Sequence, residues 1–188
     1  MEKTEENITE TKITAEAETK KSKAEKNREQ EEAYYKQYAA KVSEMEADVK
    51  FTITLFETGK SVSPKFGTVV LEDPSKVAQI VVSLFSSASL MWGNLRAMAQ
   101  QAEVHRKYYE ATYYTLLKKE YTEKGKKFTQ KDLEADATIK NKEKIFSEMK
   151  WNMLYARITA CKDAFNEQLR TLNMLQQMRS TELRNWGA

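Results

Sequence analysis

The chain contains few of the residues that interrupt helices or build catalytic centres. Its 188 residues include five glycines, two prolines, one cysteine and one histidine. With so few helix breakers and 31% charged residues, the composition indicates a helical or coiled-coil protein. Cys161 has no partner for a disulfide within the chain, and His105 has none for metal binding or acid–base catalysis. We therefore expect a binding protein that is not an enzyme and uses no cofactor or metal.

Long uncharged stretches are also scarce. Val77–Leu95, between Lys76 and Arg96, has nineteen uncharged residues, about the length of a bilayer crossing. It contains a glutamine, four serines, a glycine and an asparagine, and its apolar positions belong to a longer heptad pattern, so we expect an amphipathic helix. No charged-then-apolar leader opens the sequence, which favours the reducing cytoplasm. A membrane-associated helical protein stays as an alternative.

Charge is divided unevenly along the chain. The first fifty residues carry ten basic and thirteen acidic side chains, a balance of −3, whereas the remainder carries twenty-one against fifteen, a balance of +6. A basic body of this kind suggests a polyanionic partner.

The pattern divides the chain into three regions. Residues 1–28 have almost nothing to bury and predict a disordered or transiently helical tail. Residues 29–72 are expected to hold a short amphipathic helix, with Tyr34, Tyr38, Val42 and Met45 on one face, and a β-hairpin arm. Residues 73–188 are expected to form a helical hairpin that binds DNA and self-associates.

Two β-rich runs predict the hairpin arm. Lys50–Phe56 alternates apolar residues with threonine, and Phe66–Leu71 follows a stretch that contains glycine and proline. The intervening Thr58–Ser61 sequence, TGKS, has the end of a phosphate-binding loop but lacks that loop's first glycine, since position 54 is Thr54. We therefore predict no nucleotide site there.

Two long antiparallel helices should follow. Asp73 and Pro74 are start signals for the first, Gly125 ends it, and Thr129 with Asp132 forms a capping box for the second. The apolar positions of the first helix step by four and three in strict alternation: Val77, Val81, Leu84, Ala88, Met91, Leu95, Met98, Ala102, His105, Tyr109 and Thr112. His105 is thus predicted to be buried or half-buried.

The second helix, predicted to run unbroken from about Gln130 to Arg184, has two adjoining apolar stripes. The first comprises Phe146, Met149, Met153, Ala156 and Ala160, and the second comprises Ile158, Cys161, Phe165, Leu169, Leu172 and Leu175. Because one partner helix does not need so wide a face, we expect a homo-oligomer, with Phe165, Leu169, Leu172 and Leu175 in the interface.

The end of the first helix and the turn that follows it are both basic and aromatic. Arg106–Lys131 contains eight cations, which we predict bind nucleic acid: Arg106, Lys107, Lys118, Lys119, Lys124, Lys126, Lys127 and Lys131. Five tyrosines lie among them: Tyr108, Tyr109, Tyr113, Tyr114 and Tyr121. We predict that Tyr114 and Tyr121 stack on bases, and the alternative is that the tyrosines pack in the core.

The chain resembles the UvsY-type recombination mediators of T-even-like phages over Val77 to Arg184. The residues that carry the resemblance are Met91-Trp92, Lys118-Lys119-Glu120-Tyr121, Phe128, Trp151, Asp163-Ala164 and Met178-Arg179. The family's DNA-contacting basic segment falls on Lys118 and Lys119, while one of its basic positions falls on Leu116.

The resemblance implies a small homo-oligomer that binds single-stranded DNA. Such a protein helps a RecA-like recombinase replace single-strand-binding protein during DNA recombination, repair and replication, here in the cytoplasm of an infected bacterial host. A phage structural or scaffolding coiled coil without DNA binding and a protein that organises double-stranded DNA remain alternatives.

Overall fold

The structure, a computed structural model, describes the backbone of residues 2–186 and the side chains of residues 25–182 and 184. Over these residues the chain is helical except for one β-hairpin and short connecting segments. The elements are α1 (Glu2–Thr58), β1 (Lys60–Ser63), β2 (Gly67–Val70), α2 (Pro74–Glu123), α3 (Gln130–Lys140) and α4 (Lys142–Trp186). The prediction of a helical hairpin with a small β-hairpin arm is confirmed.

The chain divides into two units, residues 1–40 and 41–188. The described backbone of the first unit belongs to α1, which also provides residues 41–58 of the second. The predicted boundary at residue 28 stays a prediction. The side chains of residues 1–24 lie outside the described residues, and disorder of residues 1–28 stays a prediction.

The first predicted strand is wrong, because Lys50–Phe56 is the last part of α1. Phe51 and Leu55 are buried and lie four residues apart, which continues the buried helical face of Val42 and Met45. The threonines are compatible with this helix because their hydroxyls donate to backbone carbonyls one turn back, as Thr52 Oγ1 does to Asp48 O at 3.1 Å. The period-two pattern was too short to distinguish a strand from this face.

The β-hairpin instead begins in the predicted loop. β1 pairs antiparallel with β2, with Lys60 opposite Val70 and Ser63 opposite Gly67. Gly59 ends α1 with a φ of 77°, and its N–H donates to Leu55 O at 2.9 Å. The second predicted strand, within Phe66–Leu71, is confirmed.

The predicted ends of the hairpin helices are confirmed in detail. Asp73 caps α2 by accepting from Lys76 N at 3.1 Å, and Pro74 is the first helical residue. Gly125, at a φ of 62°, closes the other end. The N–H of the next residue, Lys126, donates to Tyr121 O at 2.9 Å. Over the described ranges, no helix has the length and hydropathy of a transmembrane span.

The inward face of α2 drifts from the predicted seam toward its end. Val77 to Ala102 follow the seam, but His105 is exposed, so its predicted burial is wrong. Arg106 takes the inward position, followed by Leu117, which is buried. A strict heptad has 3.5 residues per turn, whereas a straight helix has about 3.6, so the buried line moves along the sequence.

The predicted second helix is broken at Asn141 into α3 and α4. The N–H of Asn141 donates to Ala137 O at 2.9 Å, and its carbonyl accepts from Ile145 N at 3.1 Å, so it ends one helix and starts the next. Its side chain is buried, and Nδ2 donates to Arg106 O at 2.8 Å. Both α3 and α4 pack against α2.

The two stripes of α4 have opposite environments. Phe165 and Leu172, predicted to form an interface between copies, are buried within the chain itself, while Leu169 is half-buried and Leu175 is exposed. Phe165 and Leu172 already belong to the core and are corrected on that ground, whereas an interface role for Leu169 and Leu175 stays a prediction. The other stripe faces outward. We call it the outer stripe: Phe146, Met149, Met153, Ala156 and Ala160.

Candidate nucleic-acid interface at the hairpin tip

A small apolar cluster holds the end of α2 against α3. Leu117, Leu133 and Ala137 are buried at its centre. Four aromatic side chains pack against them: Tyr113, Tyr114, Tyr121 and Phe128. Because this cluster joins both helices, it fixes the backbone from which the tip's charged side chains project.

Tyr121 is held by polar as well as apolar contacts. Its hydroxyl donates to Asp136 on α3, and its ring lies 5.8 Å from the ring of Phe128. The Nζ atom of Lys126 is 3.8 Å from the Tyr121 ring centroid, and the hydrogen bond with Tyr121 raises the pKa of Lys126 above its usual value. Tyr114 packs in the same cluster. The structure thus places both predicted base-stacking rings in contacts that build the tip.

Arg106 ties α2 to α4. Its Nη1 lies 2.6 Å from Glu110 Oε2, and its Nε donates to Glu148. Only 25% of the side chain is exposed. Because two carboxylates neutralise its charge, Arg106 is better placed to fix the two helices than to bind a phosphate.

Two further predicted cations are paired one turn away on their own helix. Lys107 Nζ lies 2.5 Å from Glu103, and this hydrogen bond lowers the pKa of the Glu103 carboxyl. Lys124 Nζ lies 2.7 Å from Glu120, which raises the pKa of the lysine and lowers that of the glutamate. Because these ion pairs are exposed to water, they contribute little to the stability of the fold. Each pair nevertheless cancels one positive charge on this surface.

The other four lysines keep their charge available. Lys118, Lys127 and Lys131 are exposed and make no ion pair within the part of the chain that the structure describes. Lys119 lies 3.8 Å from Glu123, with both side chains mostly exposed. We call Lys118, Lys119, Lys127 and Lys131 the free tip lysines.

Tyr108 is the exposed aromatic ring of this region, with 65% of its surface accessible. It forms a T-shaped pair with Tyr109, with 5.5 Å between the ring centroids. The sequence contained a signal for its exposure: Tyr108 lies nine residues before buried Leu117, which at 100° per residue puts it on the opposite face of α2. Eleven residues separate it from Lys119, so those two side chains share the outward face, about 16 Å apart along the axis.

This arrangement offers cations and one open ring, the groups that hold a single-stranded backbone and stack a base. Among the described residues there is no group of three or more histidine, cysteine, aspartate or glutamate side chains able to hold a metal ion. Comparisons with protein-family models, with curated proteins and with solved structures find no match to this chain. The resemblance to the UvsY-type mediators therefore stays a prediction, carried by the residues named above.

Proposed function

We propose that the chain is a single-stranded-DNA-binding recombination mediator. It helps load a RecA-like recombinase onto strands coated by single-strand-binding protein, in the cytoplasm of an infected bacterial host. The observation that carries the proposal is the exposed charge of the free tip lysines, of which Lys118, Lys127 and Lys131 make no ion pair among the described residues, on a tip whose two helices are joined by an aromatic cluster. Attraction between these lysines and the DNA phosphates, together with counterion release, then provides affinity that does not depend on the DNA sequence.

Exposure of Tyr108 supports a preference for single strands. A base stacks on an aromatic face only when it is not already stacked within a duplex. The free tip lysines neutralise phosphates along the strand, and the ring receives a base. In a homo-oligomer several tips engage one strand, so weak contacts add into a stronger grip that holds the strand for the recombinase.

A phage structural or scaffolding coiled coil is the second candidate. The specific observation in its favour is the outer stripe of α4, whose heptad spacing and exposure suit assembly with another helix. This candidate predicts assembly without DNA binding.

Fluorescence anisotropy with a labelled single-stranded oligonucleotide, measured across a salt series, tests the proposal. Log affinity should fall linearly with log salt, at about 0.7 per phosphate contact. Replacing Lys118 and Lys119 together by alanine should reduce that slope by roughly 1.4 per tip engaged.

The matched control is the double substitution Lys60→Ala and Lys76→Ala. It removes the same number of charges, but Lys76 lies at the other end of α2, about 60 Å from Lys118. The control should leave the salt slope unchanged. Equal slopes for the wild type and the Lys118/Lys119 variant would contradict the proposal and favour the structural coiled coil.

A further inference from the structure

Helix α4 carries an apolar face that no described part of the chain covers. Its inward face is used by Trp151, Leu154 and Ile158, all buried. On the outward face, Phe146 is 51%, Met149 60% and Met153 51% exposed. Three large apolar side chains in a row, each more than half exposed, are unusual for a surface without a partner.

The spacing of this outer stripe is that of a coiled-coil seam. From Phe146 the positions step by three, four, three and four, ending at Ala156 and Ala160, which are also exposed. The stripe therefore has large side chains in its first half and methyl groups in its second half.

Charges of opposite sign flank the two halves. Lys142, whose Nζ lies 5.7 Å from the Phe146 ring centroid, precedes the large side chains. Asp163, exposed and on the same face, follows the alanines. They are twenty-one positions apart, which is about 30 Å along the helix, so the two charges do not interact within one chain.

We propose that the outer stripe binds the outer stripe of a second copy of this chain, antiparallel, about a two-fold axis at Met153. In this arrangement Phe146 lies across from Ala160, and Met149 lies across from Ala156, so each large side chain meets a small one. Lys142 lies across from Asp163 of the other copy. The stripe is thus complementary to itself, as a two-fold interface requires.

A parallel arrangement does not have this fit. It sets Phe146 against Phe146, alanine against alanine, and like charge against like charge at both ends, which is unfavourable. Shape and charge therefore select both the partner, a second copy, and its direction.

This contact deepens the proposed function, because it supplies the self-association on which multivalent DNA binding rests. It uses none of the buried residues Phe165 and Leu172. Its tests contain no DNA, so a failure here and a failure to bind DNA are separate results.

Sedimentation velocity over a concentration series gives the first test. The wild type should associate, and Met153→Asp should shift it to the monomer, because a charge at the axis meets its own copy across a desolvated seam. Leu90→Asp is the matched control, since Leu90 is an exposed leucine on α2 and its change should leave the mass unaltered. A wild type that stays monomeric, or a Met153→Asp variant that associates like the wild type, would overturn the proposal.

A charge exchange tests the direction without changing the apolar seam. Lys142→Glu and Asp163→Lys should each weaken association, and the double variant should restore it, because the exchanged charges meet again only across an antiparallel pair. Both sites are exposed, so folding should be unaffected, as far-UV circular dichroism would verify. A double variant no stronger than the single ones would overturn the antiparallel arrangement.

Discussion

Tyr108→Ala and Tyr114→Ala remove the same ring from two positions of α2 with opposite environments. Tyr108 is 65% exposed, and its described ring contact is an edge contact with Tyr109. Such a pair is worth about 0.5–1.5 kcal/mol, and the higher helix propensity of alanine offsets part of it. We therefore expect Tyr108→Ala to change the free energy of unfolding by less than about 1 kcal/mol.

Tyr114 packs in the cluster around Leu117 and Leu133. Removing a fully buried aromatic ring costs about 3–5 kcal/mol, and Tyr114 is half-buried, so we expect a loss of roughly 2 kcal/mol in stability. The two substitutions should thus separate clearly in urea denaturation.

The order should reverse in DNA binding. If Tyr108 stacks on a base, its removal costs about 1–3 kcal/mol, which is about 5- to 150-fold in affinity for single strands. Tyr114→Ala should bind normally per folded molecule, because its ring faces the cluster.

Anisotropy below the unfolding transition measures the affinities, and Tyr108→Phe is the control that keeps the ring and should keep the affinity. The reasoning is refuted if the fully folded Tyr114→Ala variant loses affinity for DNA while Tyr108→Ala binds like the wild type. That result would return base stacking to the rings predicted from the sequence.

Two more predictions follow. In the antiparallel pair the two tips lie on opposite sides of Met153, roughly 60 Å apart. Roughly 20 nucleotides at the spacing of stacked bases cover that distance, so wild-type affinity should rise once an oligonucleotide exceeds that length. Met153→Asp should lack that rise in anisotropy, and the same length dependence in both proteins would argue against two linked tips. Secondly, Arg157 donates to Glu46 at 2.8 and 2.7 Å and lowers the pKa of that carboxyl from its usual 4.5. A lowered folded pKa means that stability is present above pH 4.5 and is lost as pH falls through the folded value, so Glu46→Gln should flatten acid unfolding followed by circular dichroism. An unchanged acid unfolding profile would show that the Arg157–Glu46 ion pair does not contribute to stability at low pH.

Local signals in the sequence predicted the helix ends well. The caps at Asp73, Gly125 and Thr129 each depend on residues within one turn, so their spacing alone determines the outcome. The break at Asn141 was missed because its main side-chain contact, to Arg106 O, comes from a residue thirty-five positions away.

The structure was harder to predict where a sequence pattern fitted two arrangements equally well. Lys50–Phe56 fitted both a strand and a helix, and burial of Phe51 and Leu55 in the second unit decided for the helix. Similarly, α4 has two adjoining apolar stripes, and their spacing alone does not show which of them faces the core. The structure buries the stripe of Phe165 and leaves that of Met153 outside.

The number of free cations at the tip could be predicted in part, because some of the ion pairs follow from residue spacing within one helix. Lys107 and Lys124 have a glutamate four residues before them and are paired, whereas Lys118 has Tyr114 and Thr122 at those distances and is not. Counting cations gave eight contacts, but three of these cations are held in close ion pairs and Lys126 lies on the Tyr121 ring, which leaves the four free tip lysines. If each free tip lysine neutralises one phosphate, the salt slope of one tip is at most roughly 2.8, and a steeper slope requires more than one tip on the strand.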